Sequence, residues 1–327
     1  MHDKERPLDV QSQKPRFPLR IEKAGIVNVI KEVVFNSSGR PYNVVASFDV
    51  FTDLPEWQRG MHMSRPGEAI MDILESSSSL PIKTFEGLCE EISKRTLEVS
   101  ESSSYAETRL RGAMVLRSRS KINDRVTTEP IKVISSAKAQ RAPPVTQHSI
   151  GVIVSGMTVC PCALEMIRDY SKDLLGAVLG SRKTQDQSDL IDRALNELPL
   201  ASHVQRGTAK LVGYGAKPGA LDVYDLVDIA ERAMSSPTQA VLKRVDEASL
   251  VRTAFSRPRF VEDVVREMGM EVARTYGGKV SQDTSFLFVQ RNFESIHKHD
   301  VKAILKASLG ELVEQLSLIE KPNAIHE

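Results

Sequence analysis

The sequence is short of cysteine, of net charge and of long apolar runs. Its three cysteines, an odd number, argue against a disulfide framework and favour a reducing compartment. Because 44 basic residues balance 43 acidic ones, bulk charge gives no reason to expect a nucleic-acid partner. No apolar run approaches the roughly 18 residues that cross a membrane, and the charged N-terminus lacks a signal-peptide pattern. We expect a cytoplasmic protein with neither a membrane nor a nucleic acid as its partner.

The spacing of apolar residues predicts an α+β fold. Alternation predicts strands, whereas spacings of three and four predict helices. The first half is predicted to run strand, strand, helix, helix, strand, strand, over residues 26–35, 42–50, 66–75, 84–98, 106–119 and 127–136. The second half is predicted to have strands ending near 155 and covering 201–212 and 286–291, with helices from 162 and over 187–198, 221–233, 259–273 and 301–319. Asp300 is the predicted N-cap of the last helix. We therefore expect antiparallel sheets with helices packed on one face.

The two halves have a similar order of elements, although no residue-level repeat relates them. Ala142-Pro-Pro-Val145 breaks the pattern between them. We predict an extended arm over residues 1–22, a first module over 23–142 and a second module over 143–327. The second module carries most of the residues suited to chemistry.

Two of the cysteines lie where a predicted strand gives way to a predicted helix. Pro161 suits the first helical position, so Cys160 and Cys162 are placed at a helix N-terminus. Unpaired amides and the helix dipole stabilise a thiolate there, which is the form that attacks substrates and binds metals. The alternative is a pair of small apolar residues at a strand end. Cys89 shares a helical face with Phe85 and Ile92 and is predicted to lie in the core.

Four of the seven histidines fall in polar clusters, whereas His2, His148 and His326 lie near the ends or the break. His203 begins a strand that is expected to pair with the strand leading to Cys160. Glu294, His297 and His299 lie together in a predicted turn. Thiol, imidazole and carboxylate form a site suited to Zn²⁺ or Fe²⁺, and three protein ligands with one open position would make it catalytic. His62 and Arg65 form a further cluster, for which a solvated loop is the alternative.

Two glutamates have open interpretations. Glu231 lies near the end of a helix, and Glu247 ends the run Lys243-Arg-Val-Asp-Glu247. Both are consistent with solvated helix charges. Alternatively, the Glu247 carboxylate accepts adjacent N–H groups of a guanine-like ring while Lys243 and Arg244 contact phosphates. Spacing does not choose between these interpretations.

Taken in order, these clusters resemble the signature of the type IB GTP cyclohydrolases and their archaeal relatives of the MptA type. The resemblance covers about residues 8–300 and rests on Asp9-Val-Gln-Ser12, His62-Met-Ser-Arg65, Cys160-Pro-Cys162, His203-x-Gln-Arg206, Lys243-Arg-x-Asp-Glu247, Phe260-Val-Glu-Asp263 and Asn292-Phe-Glu-Ser-Ile-His-x-His299. Gly207 and the segment Met234-Ser-Ser-Pro-Thr238 look more like the archaeal branch. The bacterial branch tends to have Asn in place of Val204 and Pro in place of Val245.

The resemblance implies a tunnelling fold with two modules per subunit and a homotetramer, a dimer of dimers, with active sites at subunit interfaces. It implies hydrolytic opening of the imidazole ring of GTP with loss of C8 as formate. Fe²⁺ is the metal implied for the archaeal branch, with Zn²⁺ or Mn²⁺ as alternatives. The residues implied to hold or adjoin the metal are Cys160, His203, His297, Glu231, His299 and Glu294, and Cys162 is a second thiol that ligates or shuttles protons. The residues implied to bind GTP are Glu247 at the guanine edge and Gln205, Arg206, Lys243, Arg244, His62 and Arg65 elsewhere.

Three alternatives remain at this stage. The archaeal product is 7,8-dihydroneopterin 2′,3′-cyclic phosphate, for methanopterin-type cofactors, whereas the bacterial product keeps the triphosphate and leads to folate. A nitrile-reducing enzyme of the same fold would use one cysteine as a nucleophile and need a nicotinamide cofactor, for which the sequence has no dinucleotide fingerprint. A non-catalytic protein would hold a closed, four-coordinate structural Zn²⁺.

Overall fold

Nine strands and eight helices alternate along the chain in the computed structural model, which describes residues 9–37, 40–76, 84–119, 124, 126–180 and 184–320. The strands are β1 (Ile21–Ser37), β2 (Arg40–Leu54), β3 (Tyr105–Arg119), β4 (Val126–Gln140), β5 (Thr146–Val159), β6 (Val204–Tyr214), β7 (Ser236–Pro237), β8 (Ser285–Phe293) and β9 (Val301–Ser308). The helices are α1 (Ser64–Ser76), α2 (Phe85–Val99), α3 (Pro161–Leu179), α4 (Gln185–Glu197), α5 (Val223–Ala233), α6 (Arg244–Phe255), α7 (Val261–Tyr276) and α8 (Leu309–Glu320). None of the helices in these ranges is long and apolar enough to span a bilayer.

The strands form one sheet in the order β1-β2-β3-β4-β5-β6-β8-β9, and the short β7 pairs with β5. β2 and β3 are antiparallel, with Phe48 opposite Leu110, and β8 and β9 are antiparallel, with Phe288 opposite Leu305. Alternate residues of β3, β4 and β8 are buried, as the period of two requires of a sheet with one covered face. The predicted α+β class with an antiparallel sheet is confirmed.

The described residues divide into two compact units that interleave along the chain. The first unit takes residues from 1–114, 132–151 and 213–222, and its core includes Phe48, Ile70, Leu88 and Leu110. The second unit takes residues from 115–131, 152–212 and 223–327, and its core includes Leu211, Ile229, Phe286 and Phe288. The module boundary at 142–143 stays a prediction.

Helix α2 begins as its sequence predicts. The Thr84 hydroxyl accepts a hydrogen bond from the Gly87 N–H at 3.0 Å, which satisfies one of the free amides of the first turn. Cys89 is fully buried between Phe85 and Ile92 in the helix, so its predicted place in the core is confirmed.

The predicted helix over 301–319 is wrong in its first half. Residues 301–308 form β9, antiparallel to β8, and α8 begins at Leu309. The capping role predicted for Asp300 belongs to Ser308, whose hydroxyl accepts from the Glu311 N–H at 3.2 Å. Asp300 instead accepts hydrogen bonds from the Arg291 guanidinium at 2.7 and 3.1 Å across the β8–β9 turn. Strand pairing therefore outweighs the helical spacing of Val301, Leu305 and Leu309.

Two elements besides β9 were not predicted. Helix α6 follows Lys243, whose backbone N–H donates to Asp246 Oδ2 at 2.9 Å in a capping interaction. Strand β7 sets Ser236 and Pro237 opposite Met157 and Gly156 of β5. Both elements lie close to residues implied to be in the site.

Asp53 anchors the end of β2 in the first unit. Its buried carboxylate accepts from the Ser104 N–H and hydroxyl, each at 2.7 Å, and from Arg20 Nη2 at 2.8 Å. Burial by itself raises the pKa of this carboxyl, but the hydrogen bonds outweigh burial and hold the pKa below its ordinary value.

We expect Asp53→Ala to lower the free energy of unfolding by about 2–3 kcal/mol at pH 7, because it leaves buried donors without an acceptor. Since the folded-state pKa is lowered, the stabilisation is complete above the unfolded pKa of about 3.9 and disappears as pH falls through the folded value. Urea denaturation of both proteins between pH 7 and pH 3.5 measures the difference. The exposed Asp72, paired with Arg95 at 3.0 Å, supplies the control Asp72→Ala, for which less than about 0.5 kcal/mol is expected. An equal effect of the two variants at pH 7 would contradict this account of Asp53.

Candidate active site

Cys160 and Cys162 lie at the junction of β5 and α3. β5 ends at Val159, Cys160 occupies the N-cap position, and Pro161 is the first residue of the helix. This arrangement is the predicted one, since proline lacks the N–H that the first helical position leaves unpaired. Cys160 is half-buried and Cys162 is exposed. Both thiols therefore lie at the positive end of a 19-residue helix.

The neighbouring strand brings His203 to this turn. The Cys160 N–H donates to the His203 carbonyl at 3.1 Å, and the Ser202 hydroxyl donates to the Cys160 carbonyl at 2.7 Å. These two hydrogen bonds join the end of β5 to the segment that enters β6. The predicted proximity of Cys160 and His203 is confirmed.

The His203 ring is largely buried beside a buried carboxylate. Its side chain is 14% exposed, and the Glu294 side chain is 5% exposed. Among the described residues, Nδ1 of His203 has no hydrogen-bond partner, because Glu294 Oε2 at 3.9 Å is too far away to accept one. A buried ring nitrogen without a partner is costly unless something binds it.

The turn between β8 and β9 brings two further imidazoles. The His297 ring lies edge-on to the His203 ring, with 6.4 Å between centroids and an interplanar angle of 89°. The His299 ring stacks on His297 with a centroid distance of 5.2 Å. His203, Glu294 and His297 therefore come together from β6 and the β8–β9 turn, and backbone bonding places Cys160 beside them.

The segment that follows α5 is hydrogen-bonded to the end of β5, next to the cysteine turn. The Val159 N–H donates to the Ser235 hydroxyl at 3.2 Å, and the Met234 N–H donates to the Glu231 carbonyl at 3.3 Å. The Arg259 N–H donates to the Val159 carbonyl at 2.9 Å. Glu231 is half-buried near the end of α5, and Ser235, just beyond this helix, is bonded to Val159, the residue before Cys160.

The residues implied to bind GTP are distributed over several surfaces. Lys243, Arg244 and Glu247 are exposed at the start of α6. Gln205 is buried and Arg206 is exposed, because successive residues of β6 point to opposite faces of the sheet. The structure therefore does not bring Gln205 and Arg206 to one phosphate within this chain.

His62 and Arg65 lie in the first unit with the Asp9-Val-Gln-Ser12 segment. His62 Nε2 is 3.7 Å from Asp9 Oδ1, and the Ser12 hydroxyl donates to Asp9 Oδ2 at 2.6 Å, which lowers the pKa of the Asp9 carboxyl. The Gly60 N–H donates to the Gln11 carbonyl at 3.1 Å, so this part of the predicted arm is tied to the loop before α1.

The donor set of the second unit suits a divalent metal in its chemistry. Thiol, imidazole and carboxylate are ligands that Zn²⁺ and Fe²⁺ share, and the unpartnered Nδ1 of His203 is a free donor atom beside a carboxylate. Within the part of the chain that the structure describes, no three His, Cys, Asp or Glu side chains are already grouped closely enough to hold a metal ion. For these residues to bind one metal ion together, their side chains would have to move closer, or a further ligand would have to join them.

The three thiols differ in their expected reactivity. Burial raises the pKa of the Cys89 thiol to about 12, whereas Cys162 is exposed at a helix start. At pH 8 in metal-free buffer we expect iodoacetamide to modify Cys162 at least about 10³-fold faster than Cys89, because only the thiolate reacts. Peptide mass spectrometry over time measures both rates, and protein in urea is the control in which all three thiols react. Equal rates in the folded protein would refute this difference.

Comparison with known proteins identifies the family of the chain. A family model described as type I GTP cyclohydrolase folE2 matches residues 8–303. The chain is 35% identical over 311 residues to the GTP cyclohydrolase MptA of Methanosphaera stadtmanae, covering 94% of this chain and 97% of that protein. It is 32% identical over 311 residues to the protein of the same name from Methanocaldococcus jannaschii, again covering 94% and 97%. The chain belongs to the type I GTP cyclohydrolase family.

Among solved structures, the chain is similar to uricase from Arthrobacter globiformis. The TM-score is 0.49 at 9% identity, with 88% of this chain and 93% of that chain covered. A likeness at this level gives no information about chemistry.

Proposed function

We propose that this protein is a metal-dependent GTP cyclohydrolase that opens the imidazole ring of GTP and releases C8 as formate. Its relatives over nearly the whole chain are named GTP cyclohydrolases. The observation that carries the metal proposal is the meeting of His203, with its unpartnered Nδ1, the buried Glu294 and His297 beside the Cys160 turn. Ring opening needs a strong nucleophile at neutral pH, and a divalent metal held by these residues would supply one by lowering the pKa of water.

The protein residues take distinct parts in this chemistry. Cys160, His203 and His297 would hold the metal, with Glu294, Glu231 and His299 as further ligands. Glu294 Oε2 lies 3.9 Å from His203 Nδ1, a separation from which both atoms could bind one metal ion. Cys162, exposed one residue beyond Pro161, carries protons between the reacting atoms and water. Fe²⁺ is our first choice of metal, and Zn²⁺ and Mn²⁺ fit the same donors.

Recognition of GTP is assigned to the exposed start of α6 and to further polar and charged residues of the subunits. The Glu247 carboxylate accepts two N–H groups of guanine, which fixes the ring for attack at C8. Lys243 and Arg244 beside it attract phosphates. Our proposed contacts are completed by Arg206, Gln205, His62 and Arg65. Because Gln205 and Arg206 point to opposite faces of the sheet, we propose that they contact different parts of the substrate.

We further propose the MptA-type product, 7,8-dihydroneopterin 2′,3′-cyclic phosphate, for methanopterin-type cofactors. The MptA names of the relatives support this branch. Val204, Gly207 and Val245 in this sequence support it as well. The bacterial product, 7,8-dihydroneopterin triphosphate for folate, is the second candidate. Phosphatase treatment distinguishes the two, because a cyclic phosphodiester survives it and a triphosphate does not.

We propose a tunnelling fold and a homotetramer with active sites at subunit interfaces. The order β1-β2-α1-α2-β3-β4, together with a second half in which helices α6 and α7 are likewise followed by a strand pair, β8 and β9, supports two related modules. A row of large apolar side chains on α3 supports assembly, since it is more than half exposed to solvent and comprises Met166, Tyr170, Leu174 and Val178.

The decisive assay incubates anaerobic protein with GTP and Fe²⁺, Zn²⁺ or Mn²⁺. We expect one formate for each GTP consumed and, after oxidation, a fluorescent pterin. Metal-free protein is the control and is expected to be inactive. If the protein binds GTP but releases no formate with Fe²⁺, with Zn²⁺ or with Mn²⁺, the proposal is overturned in favour of a non-catalytic nucleotide-binding protein.

A further inference from the structure

A chain of hydrogen bonds between polar side chains lies in the core of the second unit. Gln290 Nε2 donates to Asn292 Oδ1 at 2.7 Å, and Asn292 Nδ2 donates to Thr158 Oγ1 at 2.7 Å. Gln290 and Thr158 are fully buried, and Asn292 is 1% exposed. We call this chain of three side chains the polar bridge.

The polar bridge crosses a strand. Thr158 belongs to β5 and the two amides belong to β8, whereas β6 lies between these strands in the sheet. Gly207 of β6 makes the crossing possible. A Cβ atom there would come within 2.5 Å of Gln290 Nε2, 2.6 Å of Asn292 Oδ1 and 2.9 Å of the Arg291 carbonyl oxygen. The last contact is with backbone, so a side chain at this position requires the strands or the bridge to shift.

An apolar core would not need this bridge. Buried polar groups are desolvated at a cost that their hydrogen bonds only offset, and apolar side chains of similar shape often fill such space equally well. What a polar network adds is a single geometry, because each bonded donor must meet one acceptor. In this bridge the two amide donors are bonded, whereas Gln290 Oε1 has no partner among the described residues. The polar bridge therefore fixes the lateral spacing of β5, β6 and β8 more closely than apolar packing does.

The position of the polar bridge relates it to the candidate active site. Thr158 lies at the end of β5, two residues before Cys160, and Asn292 lies at the end of β8, two residues before Glu294. Gly207 lies near the start of β6, which begins directly after His203. The polar bridge thus joins the three strands close to the ends that carry the thiol, the imidazole and the carboxylate.

We infer that the polar bridge is a positioning device that fixes the backbone carrying Cys160, Glu294 and His297 beside His203, so that movement of the side chains alone brings them to one metal. Thr158, Asn292 and Gly207 are positioning residues, since none of them is a proposed metal or GTP ligand. The inference rests on the proposed function, and it adds residues that act only through the ligands.

Thr158→Val tests the inference, because valine has nearly the shape of threonine and lacks the acceptor. We expect the affinity for Zn²⁺, measured by chelator competition, to fall about 10- to 100-fold, as for loss of other residues that orient ligands. Thr158→Ser retains the acceptor and is expected to retain the affinity within about twofold. The absorption spectrum of bound Co²⁺ gives a second readout, and we expect it to change in Thr158→Val and not in Thr158→Ser.

The triple variant Thr158→Val/Gln290→Leu/Asn292→Leu separates positioning from stability. It removes all three polar side chains of the bridge and leaves none of them buried without a partner, so we expect a melting temperature close to that of the unmodified protein and a metal affinity as weak as that of Thr158→Val. It also keeps the test valid if Thr158→Val alone does not fold. Thr108→Val is the matched control. It removes an equally buried hydroxyl, paired with Ser93 at 2.8 Å in the first unit, and is expected to leave metal affinity unchanged.

The outcomes separate this inference from the proposed function. If the unmodified protein binds Zn²⁺ and turns over GTP while both Thr158→Val and the triple variant keep full metal affinity, the polar bridge has no positioning role and the proposed function stands. If the unmodified protein binds no Zn²⁺, Co²⁺ or Fe²⁺, the proposed function and this inference are both overturned.

Discussion

His203→Ala is expected to lower kcat for GTP ring opening by at least about 10³-fold, which corresponds to about 4 kcal/mol of transition-state stabilisation. His203 lies between the other proposed metal ligands. Its backbone bonds to Cys160, its Nδ1 lies 3.9 Å from Glu294, and its ring lies 6.4 Å from that of His297. Removing the imidazole removes a proposed metal ligand, so we also expect tightly bound metal to be lost from the purified protein. Steady-state kinetics and elemental analysis of the same sample measure both effects.

His148→Ala is the matched control for this variant. Its side chain is 13% exposed, against 14% for His203, and Nε2 lies 2.9 Å from Glu90 Oε2 in the first unit. We expect some loss of stability, with metal content unchanged and kcat within about threefold of the unmodified value. Retention of both metal and turnover in His203→Ala would refute the role assigned to His203.

Glu247→Gln is expected to lower kcat/KM for GTP by about 10²- to 10³-fold, because an amide cannot accept both adjacent N–H groups of guanine and leaves one unpaired. The carboxylate is exposed in the first turn of α6 and available to a ligand. Metal content is expected to stay the same. Kinetics at saturating metal, together with elemental analysis, test both statements.

Glu314→Gln controls for the loss of an exposed helical charge in the same unit, since Glu314 lies on α8 and is also exposed. We expect no change in kcat/KM beyond about twofold. If Glu247→Gln instead loses metal and keeps its affinity for GTP, Glu247 is a metal-site residue and the guanine assignment is wrong.

Local signals predicted the parts of the fold that depend on local physics. Thr84 satisfies an amide of the first turn of α2, and Pro161 tolerates the first position of α3, wherever the rest of the chain lies. Both helix starts were therefore predictable. The spacing of Val301, Leu305 and Leu309 fits a helix, and only the hydrogen bonds to β8 make residues 301–308 a strand. That pairing is not local.

In the candidate site, too, features that depend on local sequence were predictable and features that depend on distant contacts were not. Residue types and their order predicted that Cys160 and His203 would meet, because a strand that ends at one pairs with a strand that begins near the other. The burial of Glu294 and the different faces of Gln205 and Arg206 depend on which side of the sheet the helices cover. The polar bridge could not be predicted, since Thr158 and Asn292 are 134 residues apart and meet only because Gly207 lies between them. The segments over residues 38–39 and 77–83, which include most of the predicted serine loop, lie outside the described residues.

Anomalous diffraction at the metal absorption edge tests the central claim most directly. Crystals of protein loaded anaerobically with Fe²⁺ or Zn²⁺ are expected to show one strong peak per subunit. The account predicts that this peak lies about 2.0 to 2.3 Å from Cys160 Sγ and from a ring nitrogen of His203. A peak bound by neither residue, in protein that releases formate from GTP, would contradict it.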